Sequence, residues 1–276
     1  MLSFLRKKPL VSICIPAFQS QDFINATIQS ALNQTVEDIE IVVSNDGAYP
    51  TPDLKKYRKH KKIRIFNVSK QLGWVENSNF ALSRARGQYF MLLPHDDILR
   101  PRYIEACLEI LQNDQNTFAA YSDIELQDGI LPASEVRGPM RERFEYIMRN
   151  LYSGYSYRAL MRRHPSDWPL LKMQPNIPTN FSVDSTWIIQ QACFGDLRKV
   201  PEPLYWKRLH DRNTHQKWTQ LSTQELKLAW QQHCFQMGEV VRSQTNDPAF
   251  SDELVEYRLD ARQVIETPQY LKEIMP

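Results

Sequence analysis

The chain has 276 residues, 42% of them apolar, and a formal net charge of +2 from 34 basic and 32 acidic side chains. That length and apolar share can bury a full core, which excludes disorder and fits one large domain or one domain with an appendage. Near-balanced charge spread along the chain argues against a dedicated nucleic-acid binder, which would need a dominant basic face.

The first eight residues hold no apolar stretch of signal-peptide length, and no later window approaches the roughly 18 uninterrupted apolar residues of a membrane-spanning helix. Leu2, Phe4, Leu5, Arg6, Lys7 and Lys8 nominate a peripheral membrane contact, beside the plainer reading of an exposed chain start. From Val11 onward, short β-rich runs alternate with helix-period segments, the pattern of a mainly parallel sheet flanked by helices. Strands are expected over 11–16, 39–44, 63–68, 89–93 and 118–121. Pro94 ends the fourth because it has no N–H to give a ladder. Helices are expected over 21–34 and 77–85. A third should start near Pro101, with Tyr103, Ile104, Cys107, Leu108 and Leu111 as its apolar stripe. Residues 127–180 read as loops and short helices, punctuated by Pro165, Pro169, Pro175 and Pro178, with 142–151 helical. Ser222 and Glu225 form a capping-box pattern that should open a helix, and a last helix is expected over 252–265. The four cysteines, Cys14, Cys107, Cys193 and Cys234, lack CxxC or zinc-like spacing. They read as small buried hydrophobes of a reducing, cytoplasmic compartment.

The eight glycines are too scattered for a dinucleotide fingerprint or a P-loop. A nucleotide diphosphate bound to this sheet would therefore need another source of positive charge, and a divalent cation is the obvious one. Asp96 and Asp97 follow an apolar strand and a proline at the carboxyl end of the sheet, where open α/β folds place ligands. Two hard oxygen donors there suit Mg²⁺ or Mn²⁺, although a bare acid pair equally suits a helix cap or a solvated loop. Asp46 ends the second strand before Gly47. Its carboxylate either accepts an N–H from a base or serves a turn.

Taken in order, the stretches PLVSICIPAFQSQDFINATIQSALNQTVEDIEIVVSNDG, LGWVENSNFALSRARGQYFMLLPHDDIL and VDSTWIIQQACFGDLRKVPEPLYWKRLHDRNTH resemble the inverting family 2 glycosyltransferases. The resemblance implies a glycosyltransferase A-type α/β fold over 1–216, with a nucleotide-sugar half at 9–125, an acceptor half at 126–216 and a helical extension at 217–276. It implies that Pro16, Ala17 and Phe18 contact the nucleoside, that Asp46 reads the base, and that Asp97 is the principal ligand of Mn²⁺ or Mg²⁺. Asp96 would meet the ribose or a second metal position. Asp184 is implied as the catalytic base, Arg208 and His210 lie in a segment similar to the family's R-x-H near the diphosphate, and Trp74, Asn77 and Arg84 fall where members shape the donor pocket. This chain has Asn45 and Pro94 where many members have acids. The implied function is transfer of a sugar from a UDP-type donor to a sugar or lipid-linked acceptor, in bacterial surface-polysaccharide or lipopolysaccharide assembly. The competing readings are a nucleotidyltransferase, which would bring a basic glycine-rich loop near its first strand, and a binding or scaffold domain without turnover.

Overall fold

The computed structural model describes residues 8–47, 51–151, 155–164, 168–176 and 179–260. Its centre is one mixed sheet. Strands β1 (Val11–Ala17), β2 (Ile39–Asp46), β3 (Ile63–Val68) and β4 (Tyr89–Leu92) form a parallel half. The sheet continues through β5 (Ile98–Leu99), β6 (Thr117–Leu126), β7 (Gly129–Leu131), β8 (Leu160–Arg162) and β9 (Asp196–Trp206) in the order β3-β2-β1-β4-β8-β6-β9-β5, with β7 beside β6. β8 runs antiparallel to both β4 and β6, and so joins the two halves.

Alternation along β1 shows why the sheet is covered on both sides. Val11, Ile13, Ile15 and Ala17 enter one core with helices α1 (Ile24–Leu32) and α3 (Tyr103–Asn113), while Cys14 enters the other. The second core is closed by α2 (Trp74–Ser83), α4 (Met140–Asn150), the short α5 (Trp168–Leu171), α6 (Val183–Gln191), α7 (Thr223–Thr245) and α8 (Pro248–Leu259). The expected capping box is present: the Ser222 hydroxyl accepts from the Glu225 N–H and the Glu225 carboxylate accepts from the Ser222 N–H.

Several elements differ from expectation for identifiable reasons. α2 begins three residues early because Gly73, at φ +80°, turns the chain into the helix. β9 was not anticipated. Pro201 and Pro203 break its alternation, and they sit where the register with β6 jumps from Ser122–Val200 to Ile124–Tyr205, so the missing N–H groups fall in a bulge. β5, β7 and β8 are only two or three residues long, too short for a period to register. α8 starts at Pro248, four residues before the expected start, and the expected continuation to 265 lies outside the described residues. The four cysteines are free, three of them buried. No helix among the described residues is long and apolar enough to cross a membrane. Residues 1–7 of the nominated membrane contact lie outside the described residues, and Lys8 is exposed.

Candidate active site

The carboxyl ends of β1 and β4 frame the site. β4 stops at Leu92, and the loop beyond it is fixed to its neighbours through His95, whose Nδ1–H donates to the Pro16 carbonyl at 3.1 Å and whose own carbonyl accepts from the Thr27 hydroxyl at 2.7 Å. The Asp96–Asp97 pair thereby gains a defined position against the end of β1, where the expected nucleoside contacts Pro16, Ala17 and Phe18 lie. Pro16 and Phe18 are partly accessible, and Ala17 is buried.

The two carboxylates face different surroundings. Asp97 is 2% exposed, and both of its oxygens are already taken. Oδ2 accepts from Arg158 Nε at 3.1 Å and the Tyr205 hydroxyl at 2.7 Å, and Oδ1 accepts from the Arg208 N–H at 3.1 Å. This is the arrangement of a structural anchor. It departs from the expected role of principal metal ligand, because a cation would have to displace a buried guanidinium. Asp96 keeps one oxygen open. Its Oδ2 meets His210 Nε2 at 2.9 Å and Asn213 Nδ2 at 3.1 Å, while Oδ1 has no hydrogen-bond partner on another of the described residues. The His210 ring accepts from the Arg212 N–H at Nδ1, so in this arrangement Nε2 carries the proton given to Asp96. Burial alone would raise the Asp96 carboxyl, but the His210 hydrogen bond and the nearby His95 and His210 rings hold it down at about 2.

The Asp96 carboxylate, with an oxygen to spare, is a hard donor that fits a divalent cation whose other positions come from a ligand and water, while the His210 imidazole, its Nε2–H given to Asp96 and its Nδ1 taken by the Arg212 N–H, orients that carboxylate instead of adding a ligand. Among the described residues no cluster of three or more His, Cys, Asp or Glu could hold a metal by itself. Arg208 and His210 are indeed beside the acid pair. The Arg208 Nε donates to the Asp96 carbonyl at 3.0 Å, its guanidinium lies 5.0 Å from the Phe23 and Trp206 rings, and the His210 ring stacks on Phe23 at 4.5 Å.

Asp184 comes from a separate element and lies within electrostatic reach of Arg158. It lies in the first turn of α6, after Asn180 and Ser182, both in the left-handed region. α6 is held by Trp187 Nε1, which donates to the Leu171 carbonyl at 2.6 Å, and by Gln190 Nε2, which donates to the Lys172 carbonyl at 3.2 Å. Asp184 Oδ1 accepts from the Ser185 N–H at 3.0 Å. Burial raises the Asp184 carboxyl above the ordinary carboxylate range, against the opposing pull of Arg158, the Ser185 N–H and Lys207. Lys207, at the end of β9, is buried within electrostatic reach of Asp97, Asp96 and Asp184. Desolvation, with Arg158 nearby, lowers its ammonium to about 8. Asp184 and Asp97 therefore share the same two cations, Arg158 and Lys207, although they come from sequence positions nearly ninety residues apart.

Three expected donor-pocket residues have other tasks. Asp46 is 1% exposed and accepts from the Leu72 and Gly73 N–H groups at 2.7 and 2.9 Å, so its carboxylate holds the loop into α2. Asn77 is buried and bonds Ser44 and the Ala17 carbonyl, locking the ends of β1 and β2 together. Arg84 is exposed at the far end of α2, stacked on Phe66 and Phe80 at 5.5 and 4.7 Å, next to the segment that leads into β4 and away from its carboxyl end. Trp74 is partly buried against the helix-side core. Sequence reasoning missed Arg158, Tyr205, Lys207 and Asn213. The last three lie within or beside the segment that carries Arg208 and His210, which was the available signal, whereas Arg158 stands in no motif.

The family model described as "Glycosyl transferase family 2" matches residues 12–167. The hyaluronan synthase of Pasteurella multocida is 38% identical over 77% of this chain, and the chondroitin synthase of Pasteurella multocida (strain Pm70) is 30% identical over 77%. In each case the match covers 22% of the relative, so the chain spans about a fifth of the length of these proteins. Among solved structures, S. aureus TarS 1-349 in complex with UDP-GlcNAc superposes with a TM-score of 0.68 at 12% identity, covering 96% of this chain and 79% of that one. The mannosyltransferase PcManGT from Pyrobaculum calidifontis, in complex with GDP-Man and Mn2+, gives 0.59 at 14% identity over 97% of this chain and 74% of that one. These likenesses establish the glycosyltransferase A-type fold expected from the sequence. With the match over more than half its length, the chain belongs to glycosyl transferase family 2.

Proposed function

We propose that this chain transfers a sugar from a nucleotide diphosphate to an acceptor hydroxyl with inversion, in the assembly of a bacterial surface polysaccharide or lipopolysaccharide. The observation that carries the reading is that Asp184, a carboxyl raised by burial, lies within electrostatic reach of the same two buried cations, Arg158 and Lys207, as Asp97, the neighbour of the Asp96–His210 pair. A carboxylate of raised pKa is a better proton acceptor, which is what a general base toward a sugar hydroxyl needs.

In a single displacement, Asp184 takes the proton of the acceptor hydroxyl as that oxygen bonds the anomeric carbon. The bond from that carbon to the diphosphate oxygen breaks, and the nucleotide diphosphate departs from the opposite face. One displacement inverts the centre, and no protein nucleophile is consumed. Asp96, oriented by His210, would hold Mn²⁺ or Mg²⁺, which when bound neutralises charge growing on the leaving diphosphate. Arg208 and Lys207 add positive charge from the protein, and Pro16 to Phe18 offer the end of β1 to the nucleoside. UDP is the first nucleotide to test, since TarS is seen with UDP and UDP-GlcNAc, and GDP the second, since PcManGT is seen with GDP-Man. Acceptors range from a free glycan end to a lipid-linked sugar, and the latter would give a basic chain start a peripheral membrane role at the cytoplasmic face.

The test is a screen of UDP- and GDP-sugars for release of free nucleotide diphosphate, with and without Mn²⁺, in the presence of glycan acceptors. Metal-dependent release from one donor class, lost in Asp184→Asn, is the expected result. Absence of release from every donor at every metal condition would sink the proposal.

A further inference from the structure

Among the described residues, Arg158 is the buried cation that reaches Asp97 from outside both motif-bearing segments, and its surroundings specify more than a counter-ion. It ends a 3-10 turn (Tyr155–Arg158) that packs against α6. Its side chain is 8% exposed, its Nε donates to Asp97 Oδ2, and its guanidinium lies between two rings, 4.3 Å from the centroid of Tyr157 and 5.5 Å from that of Tyr205. Tyr205 donates its hydroxyl to the same Asp97 oxygen. Tyr157 in turn faces Trp187 at 6.5 Å, and Trp187 is fully buried in α6 one turn beyond Asp184. The Arg158 carbonyl accepts from the Tyr103 hydroxyl at 2.8 Å, which fastens the turn to α3 on the opposite face of the sheet. A contiguous packed path thus runs from the Asp96–Asp97 loop through Arg158, the partly buried Tyr157 and Trp187 to the helix that bears Asp184.

We propose that Arg158 is a positioning residue that keeps α6 and its Asp184 in register with the Asp96–Asp97 loop, so that occupation of the nucleotide site steadies the acceptor-side base. The inference rests on the glycosyl-transfer reading above and deepens it. Arginine suits the position because a planar guanidinium can stack on aromatic faces while its edge donates to a carboxylate. Lysine keeps the charge but loses the stack and the fork. The shared charge environment is consistent: Arg158 opposes the cost of burying both Asp97 and Asp184.

The test needs no acceptor and no identified sugar. Backbone hydrogen exchange is followed on the full chain with and without UDP plus Mn²⁺, comparing residues 94–99 with residues 183–191. In the unaltered chain, UDP should slow exchange in both segments, by about fivefold or more in α6, the lower end of common coupling between sites. In Arg158→Met the slowing at 94–99 should remain and that at 183–191 should vanish, and Arg158→Lys should restore only part of it. A merely structural role would raise exchange equally with and without UDP and leave the UDP-dependent difference intact, and that result overturns the inference. Should Arg158→Met fail to fold, Arg158→Lys decides alone: an undiminished UDP effect on α6 overturns the proposal, and a reduced effect supports it. If UDP and Mn²⁺ slow exchange nowhere in the unaltered chain, the nucleotide-binding reading itself has failed, and the coupling built on it falls with it.

Discussion

In the half built from β1 to β4, buried polar side chains bond to their own scaffold: Asp46 to the Leu72 and Gly73 N–H groups, Asn77 to Ser44 and Ala17, and Ser12 to Glu40. In the half built from β8, α6 and β9, they reach out of it. Arg158, Tyr205 and Arg208 all converge on Asp97, and His210 and Asn213 on Asp96. The first half is a frame whose buried acids accept from their own scaffold, Asp46 from backbone and Glu40 from Ser12, Arg64 and the Arg86 N–H; the second supplies the groups with chemistry left to give. A motif position alone does not reveal which kind an acid belongs to. The count of oxygens still open does.

The largest test of this contrast is Asp184→Asn. Removing a general base should lower kcat by about 10²–10⁴-fold, read as nucleotide release with acceptor, while UDP affinity by calorimetry stays within a few-fold. The unaltered enzyme should show kcat rising with pH through an acid limb above the ordinary carboxylate range, because the base must be ionised and burial raises its carboxyl. The same shift fixes the sign for stability. An acid whose folded pKa lies above its unfolded value is penalised by folding once the pH exceeds the unfolded value, and the penalty is complete above the folded one. Asp184→Asn removes that penalty, so its melting temperature at neutral pH should be no lower than that of the unaltered chain. A clear fall would mean the carboxylate is structural, like Asp46.

Next in size is the divergence of the two adjacent acids. Asp97→Ala strands the buried Arg158 and should cost about 3–5 kcal/mol, the range for breaking a buried pair from one side, seen as a large drop in denaturation midpoint. Asp96→Ala should also lower the midpoint above pH 5, because a carboxyl held at about 2 contributes stability there that is lost with it, but by less than Asp97→Ala, and it should in addition abolish the Mn²⁺ dependence of UDP binding. If Asp97→Ala folds normally and loses the metal effect while Asp96→Ala keeps it, the assignment of frame and reactive acid is reversed.

Much of the frame was legible in the sequence, and the reasons are local. β1, β2 and β3 are apolar runs closed by turns, and α3 carries a single buried stripe, so periodicity alone located them. β9 hid because its two prolines interrupt the strand where it bulges, and β8 because three residues cannot display a period. Of the site, the order of Asp96, Asp184 and His210 was readable, but the division of labour between Asp96 and Asp97 was not. It depends on which carboxylate meets Arg158, a residue sixty positions later on a turn without a motif.

The smallest predicted effects concern expected donor contacts whose side chains bond or stack within the frame. Asp46→Asn keeps an acceptor at one oxygen but replaces the other with an amine that cannot accept, so one of the Leu72 and Gly73 N–H groups loses its partner. At about 1–3 kcal/mol for an unsatisfied buried donor, the loop into α2 should loosen. Donor KM should rise by roughly tenfold for each 1.4 kcal/mol that reaches the nucleotide site, with kcat little changed. Arg84→Ala is the control at the bottom of the scale. Its guanidinium stacks on Phe66 and Phe80 at the solvent end of α2, so the loss is at most an exposed cation–π contact of about 0.5–1 kcal/mol. That should appear as a small fall in midpoint, with donor KM and kcat within about twofold of the unaltered chain. A KM defect in Arg84→Ala as large as that of Asp46→Asn would mean the donor reaches down α2 to its far end. The nucleotide site would then be wider than the frame drawn here allows.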